Sequence, residues 1–186
     1  MVETILFYML YIVLQKATPL HPQDFYVERI KEIHDEYDDI SPIEEARAVL
    51  IFDLIKESCQ RFGIPLEIGL ALCKTESDFV NPLGDGNGKG KYGEYGYFQI
   101  KAATALWMAR YWKLPEIRKK VERDPAILFY SPQINILLGV SFLKYNIIQS
   151  KGDYKKAIIA YNRDHDYGQN YFERFVRSLK YFIDDN

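Results

Sequence analysis

From residue 41 onward, apolar positions recur at helical spacing, and no segment shows the alternation of a half-buried strand. Ser41-Pro42-Ile43-Glu44 reads as a helix start, with an N-cap, a proline in the first turn and a glutamate at the capping-box position. Ala46, Val49, Leu50, Phe52, Leu54 and Ile55 then predict a long buried helix, which Gly63 ends. Pro65 opens the next helix, whose apolar body is Leu66, Ile68, Leu70, Ala71, Leu72 and Cys73. A helix over residues 101–114 follows, with Ala105, Leu106, Met108 and Ala109 apolar and Trp107 and Trp112 beside them. Residues 116–123 predict a short exposed helix, and Asp124-Pro125 turns the chain. Ser131-Pro132 starts a strongly apolar helix through Ile134, Ile136, Leu137, Leu138, Val140, Phe142 and Leu143. Gly152-Asp153 breaks it, a short helix over 154–161 follows, and Tyr171, Phe175, Leu179 and Phe182 mark a closing amphipathic helix.

Ahead of this lies a different region. Residues 5–14 form an apolar run that is too short for a bilayer span and has the length of a signal-peptide core. The leading segment carries Glu3 and no Lys or Arg, and residues 15–17 match a cleavage site poorly. The two readings are an export or membrane-associating segment, which we expect, and a helix buried against the domain. Pro19 and Pro22 mark a linker. Residues 24–39 predict an acidic helix with Phe25, Ile30, Ile33 and Tyr37 as its apolar stripe and His34 on its surface. The expected organisation is an apolar segment and linker over 1–22, an accessory helix over 23–40 and a single all-α domain over 41–186.

Composition adds little: 48% hydrophobic and 27% charged residues are ordinary for a globular domain of 186 residues. The charge is more informative, because it is uneven. Residues 1–60 carry 12 acids and 5 bases, a net of −7, whereas residues 61–186 carry 14 acids and 19 bases, a net of +5. A mildly basic domain suits an anionic polymer, although a plain solvated surface has the same composition. No long basic run points to nucleic acid. His21, His34 and His165 are scattered, and no Cys-x-x-Cys is present, so no metal or cofactor is called for. Residues 85–90 resemble the start of a calcium loop, but Lys89 and Gly96 stand where ligands are needed. Cys59 and Cys73 lie on adjacent predicted helices and are expected as buried thiols, with a disulfide as the alternative in an exported protein.

The stretch over residues 66–100 carries the chemistry. Its helix ends in Thr75-Glu76-Ser77-Asp78, which puts carboxylates at the negative end of the helix dipole, where a chain selected for stability favours Lys or Arg. A glycine-rich loop follows, then Gly93-Glu94-Tyr95-Gly96-Tyr97-Phe98-Gln99-Ile100. Glycines permit close backbone approach and aromatics offer flat faces, so an acid facing this loop is a plausible saccharide site. The loop leaves room for a small β-hairpin.

Glu76-Ser77, Asn81-Pro82, residues 93–100 and Ala160-Tyr161-Asn162 stand in the order of the catalytic core of the soluble lytic transglycosylases, and the chain resembles that family over roughly residues 46–182. Its relatives include goose-type lysozyme. The chain departs from the pattern after Asn162: the usual Ala-Gly is replaced by Arg163-Asp164-His165-Asp166. The resemblance implies a lysozyme-like fold and peptidoglycan glycan strands as partner. It implies Glu76 as catalytic acid, a Tyr161 hydroxyl pointing at that acid, and Asn162 near the cleft. Ser77, Tyr97, Phe98, Gln99, Tyr161 and Asn162 are the expected substrate-binding residues.

The expected function is a lytic transglycosylase, with two alternatives. A lytic transglycosylase cleaves the MurNAc–GlcNAc bond with one acid and leaves 1,6-anhydro-MurNAc ends. A goose-type hydrolase needs a second, water-activating carboxylate, for which Asp85, Glu94, Asp164 and Asp166 are candidates. A non-catalytic wall-binding protein is disfavoured by the intact Glu76. Export to the bacterial cell envelope is the expected location, and a phage origin is compatible.

Overall fold

The structure, a computed structural model, describes residues 13, 18–35, 45–81, 93–162 and 168–184. Nine helices and one short antiparallel hairpin make up its regular elements among the described residues. They run α1 (Gln23–Asp35), α2 (Glu45–Phe62), α3 (Leu66–Ser77), β1 (Glu94–Tyr95), β2 (Ile100–Lys101), α4 (Ala102–Tyr111), α5 (Pro115–Arg123), α6 (Ile127–Tyr130), α7 (Pro132–Gln149), α8 (Tyr154–Asn162) and α9 (Gly168–Ile183). The fold is all-α, as the periodicity implies, and lysozyme-like, as the family resemblance implies.

Helix α7 is the axis. It is apolar nearly all round, so it is buried, and α2, α4, α8 and the hairpin pack against it. Helix α9 lies along α3, burying Tyr171, Phe172, Phe175, Leu179 and Phe182. The α3–α9 seam and the hairpin bring together the residues discussed below.

The hairpin is held to α7 by one side chain. Asn135, fully buried, accepts from Phe98 N at 2.9 Å through Oδ1 and donates to Tyr95 O at 2.7 Å through Nδ2. One strand residue and one turn residue of the hairpin therefore have their backbone groups satisfied without a third strand. Gly96 sits over the same amide at φ +68°, where a Cβ would come 2.5 Å from Asn135 Nδ2. Gly139 of α7 does the same for the Phe98 ring, since a Cβ there would lie 2.3 Å from Phe98 Cβ.

Several expectations need correction. His34 is buried, because it lies four residues after Ile30 on the packed face of α1. That face also holds Tyr26, whose hydroxyl donates to the buried Glu67 Oε1 at 2.5 Å. Leu20 N donates to the same oxygen at 2.7 Å, so the linker and α1 are tied to α3. The helix expected over 101–114 stops at Tyr111, and Lys113 takes φ +54° before Pro115. Helix α6 is an additional turn that the pattern left as chain reversal. Cys59 and Cys73, by contrast, are the buried free thiols that the sequence leads one to expect.

The helix start at residues 41–44, the end of the acidic helix and the glycine-rich loop over 82–92 lie outside the described residues. So does the apolar run, apart from Val13, which is helical and buried. Among the described residues no helix is long and apolar enough to cross a membrane.

Candidate active site

Helix α3 delivers Glu76 to its last turn, and the chain then leaves through two left-handed residues, Asp78 at φ 47° and Phe79 at φ 59°. Such backbone is uncommon outside glycine and turns the chain sharply away, which leaves the Glu76 side chain at the end of the helix. Ser77 Oγ lies 3.2 Å from Cys73 O and donates to Tyr97 O at 2.8 Å, so it joins the helix end to the hairpin turn. Asn81 Nδ2 donates to Phe129 O at 2.8 Å and fixes the point where the glycine-rich loop begins.

A cleft of about 310 Å³ opens beside Glu76. Thr75 and Glu76 come from α3, and Glu94, Gln99, Ile100 and Lys101 from the hairpin. Thr104 of α4, Phe142 of α7, Tyr161 and Asn162 of α8, and Tyr171 and Arg174 of α9 complete it.

Burial pushes the Glu76 carboxyl up to about 7. The hydrogen bond from Tyr171 and the Arg174 guanidinium oppose this, while the Glu94 charge adds to it. Tyr171 Oη donates to Glu76 Oε1. Burial first, and then the neighbouring Glu76 charge, hold the Tyr171 hydroxyl well above the usual tyrosine range, so it stays a donor. Arg174 Nη2 donates to Thr75 O at 2.7 Å, capping a terminal carbonyl of α3 one residue before the acid. Glu94 pairs with Lys101 across the hairpin at 3.0 Å.

The expected site residues divide into two groups. Glu76, Gln99, Tyr161 and Asn162 line the cleft. Gln99 does so from a strained φ of 43°, with its Nε2 donating to Gly96 O at 2.7 Å. Ser77, Tyr97 and Phe98 are absent from the lining. The Tyr97 and Phe98 rings are buried in the core instead of facing a sugar, Tyr97 receiving a hydrogen bond from Arg47 Nη2 at 3.0 Å. Their contribution is backbone: Tyr97 O and Phe98 O anchor Ser77 and Tyr161.

Tyr161 also differs from its expected role. Its hydroxyl donates to Phe98 O at 2.9 Å, and the tyrosine that reaches the acid is Tyr171. In the sequence Tyr171 falls in the core stripe of α9, and Arg174 belongs to no motif. The available signal was a hydroxyl within that apolar stripe and a guanidinium three residues on. Asp85, Asp164 and Asp166 lie outside the described residues. Among those described, no group of three or more His, Cys, Asp or Glu side chains is placed to hold a metal ion.

The family model for the transglycosylase SLT domain matches residues 53–177, two thirds of the chain, and these include every residue that lines the cleft. The chain belongs to the transglycosylase SLT-domain family. Comparison with curated proteins returns no match. The SLT domain is a glycan-cleaving module of the lysozyme-like kind with peptidoglycan as its substrate class, and an acid poised near neutrality in a cleft suits that class. Within this SLT domain, α3, the hairpin, α8 and α9 supply the cleft wall around the acid.

Proposed function

We propose that the protein is a peptidoglycan lytic transglycosylase in which Glu76 is the single catalytic acid and base. The observation that carries this reading is a cleft carboxyl held near 7 by burial, with a tyrosine hydroxyl on one oxygen. A carboxyl of that kind is protonated in a useful fraction at neutral pH and can give its proton to the bridging oxygen between MurNAc and GlcNAc. The C1–O bond then breaks, and the leaving sugar departs with the proton. Glu76 is now a carboxylate, stabilised by the Tyr171 hydrogen bond and by the Arg174 charge. It takes the proton from the C6 hydroxyl of the same MurNAc, and that oxygen closes on C1. The product is a 1,6-anhydro end, and no second carboxylate is required.

Gln99 and Asn162 are the polar side chains that hold the sugar, and Tyr161 orients the hairpin turn through Phe98 O. The substrate implies export to the bacterial cell envelope, in keeping with the apolar segment over 5–14.

Glu94 supports a second reading. It is the other described carboxylate of the cleft, and a hydrolase of the goose-lysozyme type uses such a group to activate water. Its ion pair with Lys101 holds it on the hairpin and favours the first reading. Mass spectrometry of muropeptides released from purified peptidoglycan separates the two. Anhydro ends are expected, reducing ends point to hydrolysis, and the absence of any product overturns both.

A further inference from the structure

An aromatic series leaves the cleft along one side. Phe142 lines the cleft and packs on Tyr161 at a centroid distance of 5.0 Å. Its other neighbour is Trp107, at 6.3 Å, which meets Tyr145 at 4.4 Å. Tyr145 meets Tyr111 at 5.1 Å, and Tyr111 meets Trp112 at 5.0 Å. Along α4, Thr104, Trp107 and Tyr111 share a face at i, i+3 and i+7, and Thr104 is itself in the cleft lining. Seven residues of helix rise span about 10 Å, so Tyr111 stands well beyond the catalytic cleft.

Packing accounts for part of this cluster, since every pair but one is edge-to-face, a favourable geometry for rings. It does not account for the exposure. Trp107 is 36% and Tyr111 44% exposed, although Ala105, Met108 and Ala109 already give α4 its core contacts. The two half-exposed rings are continuous with the cleft through Phe142, which extends its apolar wall along α4. Exposed Lys101, Arg110 and Lys113 border or belong to the same helix in sequence, with Lys101 paired to Glu94 at 3.0 Å and Arg110 to Glu122 at 3.6 Å. An amphipathic, rigid ring surface beside positive charge fits a polymer with apolar sugar faces and carboxylates.

We propose that Trp107 and Tyr111, backed by Tyr145, form an extended glycan-binding track that continues the cleft and holds the sugars of a peptidoglycan strand beyond the cleavage point. Pyranose C–H faces lie on the rings, and the cations meet the carboxylates of the stem peptides or, on a peptide-free strand, those of the lactyl groups. This rests on the glycan-cleaving reading of the cleft. The track makes affinity depend on strand length, because a short glycan fills the cleft alone while a longer one reaches α4.

The test uses the full chain carrying Glu76→Gln, so that strands are bound without being cut. Peptide-free strands of alternating N-acetylglucosamine and N-acetylmuramic acid, a tetrasaccharide and an octasaccharide, are titrated calorimetrically. The octasaccharide is expected to bind about threefold to tenfold more tightly, the range of one or two ring contacts. Adding Trp107→Ala or Tyr111→Ala removes most of that advantage. An advantage retained in folded double variants overturns the track, as does the lack of any advantage when the tetrasaccharide binds. Failure of both glycans to bind overturns the glycan reading itself. Should Trp107→Ala lower the melting temperature sharply, Tyr111→Ala decides the matter, since its ring is the more exposed.

Discussion

Tyr171 donates its hydroxyl hydrogen bond to Glu76 across 95 residues of sequence, and this contact tempers the effect of burial on the acid. Burial alone favours the protonated form, which makes a good acid and a poor base. The Tyr171 bond favours the carboxylate that the second step of the proposed reaction needs. Tyr171→Phe therefore raises the Glu76 value further, and the basic limb of the pH–rate profile moves to higher pH. Turnover falls at the same time, because the carboxylate intermediate loses a partner. A profile that keeps its limb while losing rate in proportion to thermal stability would mark Tyr171 as packing only.

Glu76→Gln removes the transferable proton. Activity on purified peptidoglycan is expected to fall by about a hundredfold or more, the usual worth of acid–base catalysis. The same change has a stability signature. The folded carboxyl lies at about 7 against 4.5 for the ordinary group, so the native state binds the extra proton between those values. Wild-type stability thus declines as pH rises through that window, by about 3 kcal/mol at most. The amide has no such dependence. Glu76→Gln is expected to be the more stable protein at pH 8 and to lose that advantage below pH 4.5, as denaturant melts at both pH values will show.

Glu94→Gln separates acid tuning from water activation. The Glu94 charge raises the Glu76 value, so its removal shifts the basic limb to lower pH while anhydro products persist. A hydrolase that relies on Glu94 loses about a hundredfold or more instead. Collapse of activity in a folded Glu94→Gln protein, with reducing-end products from the wild type, would sink the transglycosylase assignment.

Asn135→Ala tests the hairpin anchor. It strands Phe98 N and Tyr95 O, each a buried or half-buried group worth about 1–3 kcal/mol when unpaired. Gly139→Ala acts on the same turn from the other side, driving a methyl group into Phe98 at a cost of about 1–3 kcal/mol. Both variants are expected to melt earlier and to lose more activity than their stability explains, because Gln99 and Tyr161 depend on the turn. A variant that loses stability and keeps full turnover at low temperature would show that the hairpin position is immaterial to the cleft.

Helix content, helix order and the acid were legible in the sequence because they depend on local information. Apolar spacing and the Gly63–Pro65 break mark α2 and α3, the Ser131-Pro132 start marks α7, and a carboxylate at the end of an apolar helix is unusual enough to be noticed. Side-chain direction in the hairpin was not legible. Tyr97 and Phe98 read as cleft walls, yet the space over Gly139 and the amide of Asn135, both on α7, draw Phe98 and its turn into the core. Tyr171 read as one more apolar contact in α9, because Phe175 and Leu179 share its stripe. Its hydroxyl meets Glu76 because α9 packs lengthwise on α3, and that register is set by the whole buried seam, not by any local pattern. The sequence by itself determined which helices form and which carboxyl is out of place. Long-range packing decided which hydroxyl serves that carboxyl, because a hydrogen bond between residues far apart in the chain exists only once the helices carrying them have docked.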